Sequence, residues 1–573
     1  MTDSSLSAGN AKAPGSSDVT GSPTAASSRV VEGHAGTVAV AVAQAHGVQA
    51  MFTLSGAHVF PLYDGAVKAE PPLPIYDVRH EQTAVFAAEA MGKLTRRPGL
   101  AVLTAGPGVT NGISAIAQAH HNGSPLVVFG GRAPAFRWGT GSLQELDHPA
   151  LLGPVTKHAA TVAGPETIAT EMDGALRLAA SAHRGPVFLD MAMDHLFGSV
   201  TATVAGPAPT TPEPVDGEAL DAAAAVIAAA HRPVLVLGSD VWADGAETAA
   251  AELVHDLGLP AITNGMGRGV IGPDDALLVT RARSIAFGEA DLVIVVGTPL
   301  DFRLGYGSFG SGTTPVVHIV DSPAGLATHV QPVAGLAGDL SNLLDGLRER
   351  LSRTGVHRDV AEWAARLRAG HLAAVADDEP LLGAATDPIH PARIYGELRS
   401  VLAPDAVVIG DGGDFVSFAG RFVEPPTAGC WLDPGPFGCL GTAMGYALGA
   451  RLARPDAQIV VLLGDGAAGF SLMDVDTLVR HRMPVLMVVG NNGVWGLEKQ
   501  PMQMLYGYDV AADLTPGTRY DDVVKALGGD GECVTDPARL GEALRRGLAS
   551  PVPYLVNVIT DPAAAYPRKT FGI

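Results

Sequence analysis

Cysteine is nearly missing from this chain, with only Cys430, Cys439 and Cys533 in 573 residues. No two are spaced as a disulfide or metal-binding pair, which argues against a disulfide scaffold or a zinc site and fits a reducing compartment. Basic charge is scarce too: 38 Lys and Arg stand against 59 Asp and Glu, for a net charge of −21. A surface this acidic repels nucleic acid and anionic membranes, so neither is expected as a partner. An anionic small molecule would need a local cluster of arginine, glycine turns or a metal. No apolar run of 18 residues is free of polar residues and turn signals, so no spanning helix is expected. The opening stretch, MTDSSLSAGNAKAPGSSDVTGSPTAASS, lacks both a basic and an apolar signal-peptide region. With so little apolar surface it cannot offset an ordering cost of roughly 1–2 kcal/mol per residue, and a flexible tail over residues 1–30 is expected. These absences together point to the cytoplasm.

What the chain does contain is alternation. Helical and extended patterns succeed one another from Glu32 to about Leu196, from Leu220 to Leu351 and from Arg393 to Ile559. The expected fold class is α/β, in three domains each with a mostly parallel sheet. Residues 31–205 form the first domain, the Pro-rich 206–216 a linker, and 217–352 the central domain. A helical connector, 353–388, follows, with a loop expected from Ala376 to Pro391. The third domain spans 389–562 and a tail 563–573.

The most informative stretch is Val460 to Gly496, VVLLGDGAAGFSLMDVDTLVRHRMPVLMVVGNNGVWG. Two β-branched runs flank a helical pattern over Leu472 to Arg482, which reads as a βαβ crossover. Both of its polar turns then fall at the carboxyl edge of a parallel sheet, where open α/β sheets bind ligands. Asp465, Asn491 and Asn492 stand at those turns. One carboxylate, one amide oxygen and one backbone carbonyl would supply a protein's share of ligands to Mg²⁺, while the glycines let backbone approach phosphates. Either turn alone is an ordinary strand end, but the pair, with 24 residues between Gly466 and Asn491, is specific.

This spacing resembles the diphosphate-binding signature of thiamine diphosphate enzymes. The resemblance implies that Gly464, Asp465 and Gly466 cradle the cofactor and that Asp465, Asn492 and the Val494 carbonyl bind Mg²⁺. Further upstream, RHEQTAVFAAEAMGKLTRRPGLAVLTAGPGVTNGISA resembles the pyrimidine-binding domain of the acetolactate synthase and oxalyl-CoA decarboxylase branch. It implies that Glu81 hydrogen-bonds N1′ of the aminopyrimidine; read alone, Glu81 is a first-turn carboxylate favoured by the helix dipole. The segment PGPFGCLGTAMGYALGA looks like the family's glycine-rich helix start. There Gly438 would accept from the 4′-amino group and Leu440 would bend the cofactor; tight helix packing is the plainer reading of Gly441 and Gly445. In the family the two halves come from different subunits, so a homodimer is the expected minimum, and a homotetramer is common in this branch.

Within the branch the chain is most similar to actinobacterial 2-hydroxyacyl-CoA lyases, whose best-known type cleaves 2-hydroxyisobutyryl-CoA to acetone and formyl-CoA. The alternatives are an acetolactate synthase condensing pyruvate and an oxalyl-CoA decarboxylase. Synthases follow their Asn-Asn with an acidic stretch and a Gln-Trp pair; this chain has GVWGLEKQP, with Trp495 at another offset. Glu498 lies where pyruvate decarboxylases keep a catalytic glutamate, and is expected to handle the substrate's hydroxyl proton; an exposed helix carboxylate paired with Lys499 is the other reading. Ala57, His58 and Gln144 are expected to line the pocket. Arg421 and, as a weaker choice, Arg268 are candidates for the CoA phosphates. The central domain resembles one that holds ADP in relatives, which makes Arg281, Arg283 and Asp321 nucleotide candidates, though surface ion pairs would explain them equally. The tail AAAYPRKTFGI is expected either to close over a CoA thioester or to fray.

Overall fold

A computed structural model describes residues 28–208, 215–564 and 566 of the chain. Most of the expected tail, the middle of the linker and nearly all of the C-terminal tail, with Arg568 and Lys569, therefore lie outside the described residues.

Three parallel sheets follow one another. The first has the spatial order Ile75–Asp77, Met51–Thr53, Gly99–Leu103, Leu126–Arg132, Pro186–Ala192 and His158–Val162. The central one runs Ala261–Thr263, Pro233–Leu237, Leu292–Val296, Val316–Val320 and Ala334–Ala337. The third runs Trp431–Leu432, Val407–Asp411, Ile459–Gly464, Leu486–Asn491, Tyr554–Ile559 and Asp530–Val534. Central strands such as LVIVV at Leu292–Val296 are buried at every residue, because helices cover both faces of a parallel sheet and leave no face for polar alternation. Outside the three sheets, Arg29–His34 pairs antiparallel with Ser199–Val204 and brings the two ends of the first domain together.

The first and third domains share one apolar core. The helix Glu81–Thr95 lies across Ala443–Ala453, with Phe86 edge-on to Tyr446 at 5.9 Å. A Cβ at Gly445 would sit 2.5 Å from that of Phe86, so the small residues of this helix are required by the crossing. Gly441 is equally confined, with a Cβ there meeting Phe470 at 2.7 Å.

The structure departs from expectation in two places that matter. The crossover is not one helix over Leu472 to Arg482: Asp465–Ser471 is helical from its first residue, a 3₁₀ turn spans Leu472–Asp474, and Val475–Arg480 completes it. The connector helix Asp359–Leu382 runs on through Pro380 into the stretch expected to be a loop. Its end is fixed by buried Leu382 and by buried Asp378, which pairs with Arg281 and Arg421.

Candidate active site

The carboxyl ends of three neighbouring strands of the third sheet open into a cavity of about 530 Å³. After Val407–Asp411 comes the turn Gly412–Asp414; after Ile459–Gly464, Asp465 and Gly466; after Leu486–Asn491, Asn492, Val494 and Glu498. Gly438 and Leu440 form another wall. Gly438 has φ +72°, and a Cβ there would meet no atom beyond its chain neighbours within 4 Å, so its Cα faces open space.

Asp465 is 3% exposed. Its Oδ2 accepts from the Gly493 N–H at 2.7 Å and its Oδ1 from that of Gly466 at 3.0 Å. Burial, opposed by these N–H groups, lifts its pKa to about 6. No ion pair reaches it among the described residues. A buried carboxylate facing a cavity with no cation of its own fits a metal ion. Asn492 Oδ1 accepts from the Val494 N–H at 3.1 Å, which folds the amide oxygen and the Val494 peptide into one turn beside Asp465. Asn491 is not part of this set: it ends its strand, and its Nδ2 donates to the Thr518 carbonyl at 2.8 Å and to Asn557 at 3.1 Å. Gly466 is hemmed in by the Trp495 ring, which a Cβ would meet at 2.5 Å. Glu498 is exposed at the cavity wall in the first turn of Gly496–Tyr506. It is not paired with Lys499, whose ammonium goes to Asp513 and, at 3.5 Å, Asp509.

One buried group escaped the sequence reading. Asp411, wholly buried, accepts from the N–H groups of Gly441 at 3.1 Å and Ala443 at 2.9 Å. Burial raises its pKa to about 7. It anchors the turn that carries Gly438 and Leu440, and the only signal for it was an acid at the end of the strand run VVIGD.

A second cluster forms at the carboxyl edge of the first sheet. Glu81, 7% exposed, accepts from Asn111 Nδ2 at 2.9 Å. Thr104 adjoins it through Gly108 and bonds His58 Nδ1 at 3.1 Å. Burial lowers the His58 pKa, so it is neutral at pH 7. Gln144, at φ +61°, packs on Gly106, and Ala57 is exposed beside His58. None of Glu81, Ala57, His58 and Gln144 lines the Asp465 cavity of its own chain.

The arginine candidates fall elsewhere. Arg268 donates to the carbonyls of Gly420 at 2.7 Å and Val423 at 3.2 Å and forms an ion pair with Glu424 at 3.1 Å, because it closes the seam between the central and third domains. Arg421 and Arg281 line a separate cavity and are both held by Asp378. Arg283 donates to the Arg303 carbonyl, and burial pulls its pKa down to about 10. Asp321 lies at the edge of the central sheet, 3.0 Å from His183 Nδ1. The three nucleotide candidates thus do not form one site.

The sequence comparisons bear on this geometry. Residues 34–151 match the thiamine pyrophosphate enzyme N-terminal TPP binding domain, 220–347 the central domain and 411–558 the C-terminal TPP binding domain. Over 549 residues, 94% of this chain and 97% of the relative, the chain is 49% identical to a probable acetolactate synthase of Mycobacterium bovis. The chain belongs to the thiamine pyrophosphate enzymes. The same identity and coverage relate it to the acetolactate synthase large subunit IlvG of Mycobacterium tuberculosis. It is 33% identical to 2-hydroxyacyl-CoA lyase 2 of Caenorhabditis elegans, over 92% of this chain and 89% of the relative. As a member of this family it is a thiamine diphosphate-dependent enzyme with the family's three α/β domains. No helix among the described residues is long and apolar enough to cross a membrane.

Proposed function

We propose that the chain is a 2-hydroxyacyl-CoA lyase that splits a substrate such as 2-hydroxyisobutyryl-CoA into formyl-CoA and a ketone or aldehyde. The observation that carries this reading is Glu498: it stands at the wall of the Asp465 cavity, free of Lys499, in a segment that lacks the Gln-Trp pair of acetolactate synthases. The lyase relatives cover most of the chain.

In this reading Asp465, the Asn492 amide oxygen and the Val494 carbonyl hold Mg²⁺, and Gly464 and Gly466 admit the diphosphate. The Gly438 carbonyl and the Leu440 side chain fix the aminopyrimidine end, and Glu81 of a second copy reaches its ring nitrogen. Bound thiamine diphosphate supplies a nucleophilic carbon and a sink for the electron pair released when the bond between C1 and C2 breaks. Glu498 takes the proton of the 2-hydroxyl as that bond breaks and returns a proton to the carbon that becomes the formyl group. Because Glu81 does not reach its own chain's cavity, a homodimer is the smallest complete unit, and a tetramer is two such units. Ala564 at the wall of the Asp465 cavity and Tyr566 edge-on to Phe418 at 5.2 Å support a C-terminal tail that closes over the substrate.

The second reading is an acetolactate synthase, favoured by the names of the 49%-identical relatives. Purified protein with Mg²⁺ and thiamine diphosphate is given 2-hydroxyisobutyryl-CoA or pyruvate. Release of formyl-CoA and acetone is expected; acetolactate formation without cleavage of the CoA ester would overturn the lyase.

A further inference from the structure

We propose that Asp474 is a positioning residue for Glu81, reaching it from the diphosphate-binding crossover of the same chain; this rests on the assignment of Glu81 to the cofactor's aminopyrimidine. Asp474 closes the 3₁₀ turn between the two short helices that follow Asp465, and it is 2% exposed. Its Oδ1 accepts from the Arg79 peptide N–H at 2.7 Å and from Thr477 Oγ1 at 2.9 Å, and its Oδ2 from Thr83 Oγ1 at 2.7 Å. Arg79 and Thr83 stand two residues to either side of Glu81. One carboxylate from the third domain therefore grips the chain just before and just after the first residue of Glu81–Thr95.

A helix start normally satisfies its free N–H groups from its own cap. Here His80 caps Gln82 at 3.2 Å, and the chain ahead of it is tied down from outside. Charged acceptors make the stronger hydrogen bonds; the two hydroxyl bonds here are buried and the Arg79 bond is part-buried. Neighbouring contacts share the load without touching Glu81: Arg480 holds both Asp77 oxygens at 2.8 Å, and the Phe470 carbonyl accepts from Gln82 Nε2 at 3.5 Å. Glu81 bonds Asn111 but makes no bond of its own to the third domain among those described. Its position relative to that domain is set by the packing of its helix on Ala443–Ala453 and, at the helix start, by Asp474. In the dimer proposed above, the clamp joins the cradle of one cavity to the glutamate that serves the other.

The test uses full-length protein carrying Asp474→Ala, Thr83→Val, Asp474→Asn and, as reference, Glu81→Gln. Three quantities are read: deuterium uptake by the peptide spanning residues 76–86 without cofactor, thiamine diphosphate affinity in Mg²⁺, and the rate at which the C2 proton of bound cofactor exchanges with solvent deuterium. Asp474→Ala is expected to raise uptake at 79–83 and slow C2 exchange by about tenfold to a hundredfold, the cost of a misplaced catalytic group, with affinity within about threefold of wild type. Thr83→Val, which removes only the Oδ2 bond, is expected to show a smaller slowing, and carries the test if Asp474→Ala does not fold. Asp474→Asn, which keeps an acceptor for Arg79, is expected to recover most of the rate. If Glu81→Gln slows exchange while Asp474→Ala and Thr83→Val leave it within about twofold, the inference is overturned. It falls too if saturating cofactor restores the rate of Asp474→Ala, since the residue would then act through the cradle. Unchanged exchange in Glu81→Gln would remove Glu81 from the cofactor and the inference with it. No arm involves a CoA ester, so a wrong substrate assignment leaves the result standing.

Discussion

The third and central sheets of this molecule are built alike, yet their carboxyl edges have opposite electrostatics. Both are parallel, both bury their strands on two faces, and both carry an aspartate just past a central strand, Asp465 in one and Asp321 in the other. Asp321 is answered from within the protein by His183 at 3.0 Å and Arg184 at 3.9 Å. Burial works against a charged His183, but the Asp321 hydrogen bond and the Asp240 charge outweigh it and lift its pKa to about 9. Among the described residues, Asp465 is answered only by peptide N–H groups. A parallel sheet supplies the ledge; whether it holds an ion depends on whether the fold has already neutralised the acid placed there.

The sharpest way to break this comparison is to remove each acid. Asp465→Asn is expected to cost about a thousandfold in kcat/KM at subsaturating Mg²⁺, with cofactor binding lost in a fluorescence titration that uses Trp495, packed on Gly466, as reporter. Asp321→Asn is expected to lower the melting temperature while leaving cofactor affinity within about twofold, because its partners are internal. Equal effects on cofactor affinity would erase the distinction.

Glu498→Gln comes next, with kcat lower by about a hundredfold and cofactor affinity unchanged, read by steady-state kinetics beside the same titration.

Acidity provides a third and smaller test. The folded pKa of Asp465, about 6, is above its ordinary 3.8. Its ionised form is therefore a cost to the fold, absent below pH 3.8 and complete above about 6. A bound cation offsets that cost, so Mg²⁺ affinity should be level above pH 6 and fall by about tenfold per pH unit below it, as the metal competes with one proton. A profile flat from pH 7 to pH 5 would show that Asp465 is not the group displaced. His183 has the opposite sign: its raised pKa gives stability that is full below pH 6.5 and lost as pH rises through about 9. The melting-temperature difference between wild type and His183→Gln, on the order of 2 °C, should shrink over that range.

The mildest perturbation tests the two-chain site. Co-expressed Glu81→Gln and Asp465→Asn chains, each nearly inactive alone, should regain about a quarter of wild-type activity, since half the dimers are mixed and each has one intact site. No recovery would confine the site to one chain.

Elements buried along a regular apolar pattern were legible in the sequence. The spans Glu81–Thr95, Glu247–Leu257, Leu292–Val296 and Val316–Val320 read directly from apolar periodicity, because burial there follows the pattern of the element itself. Edge strands such as His158–Val162 and Asp530–Val534, of the same length as those two strands, did not, since half-exposed and polar runs carry little signal. The pairing of the arginine candidates was hidden for a related reason. An arginine in an acidic chain looks like an anion site, but Arg268, Arg281 and Arg421 found carbonyls and carboxylates at domain seams that no local window contains.

The sequence alone determined the three α/β domains and the strand-turn-helix grammar that brings Asp465 and Asn492 to one ledge. These depend on residues close in the chain, through hydrogen-bonding period and glycine turns. Only the tertiary structure decided which acids keep their charge for a ligand and which are already paired. It also decided that Asp411 holds the Gly438 turn from below and that Asp474 grips the helix of Glu81 from another domain. Those outcomes depend on partners tens to hundreds of residues away, whose proximity is a product of packing and is written in no single stretch of chain.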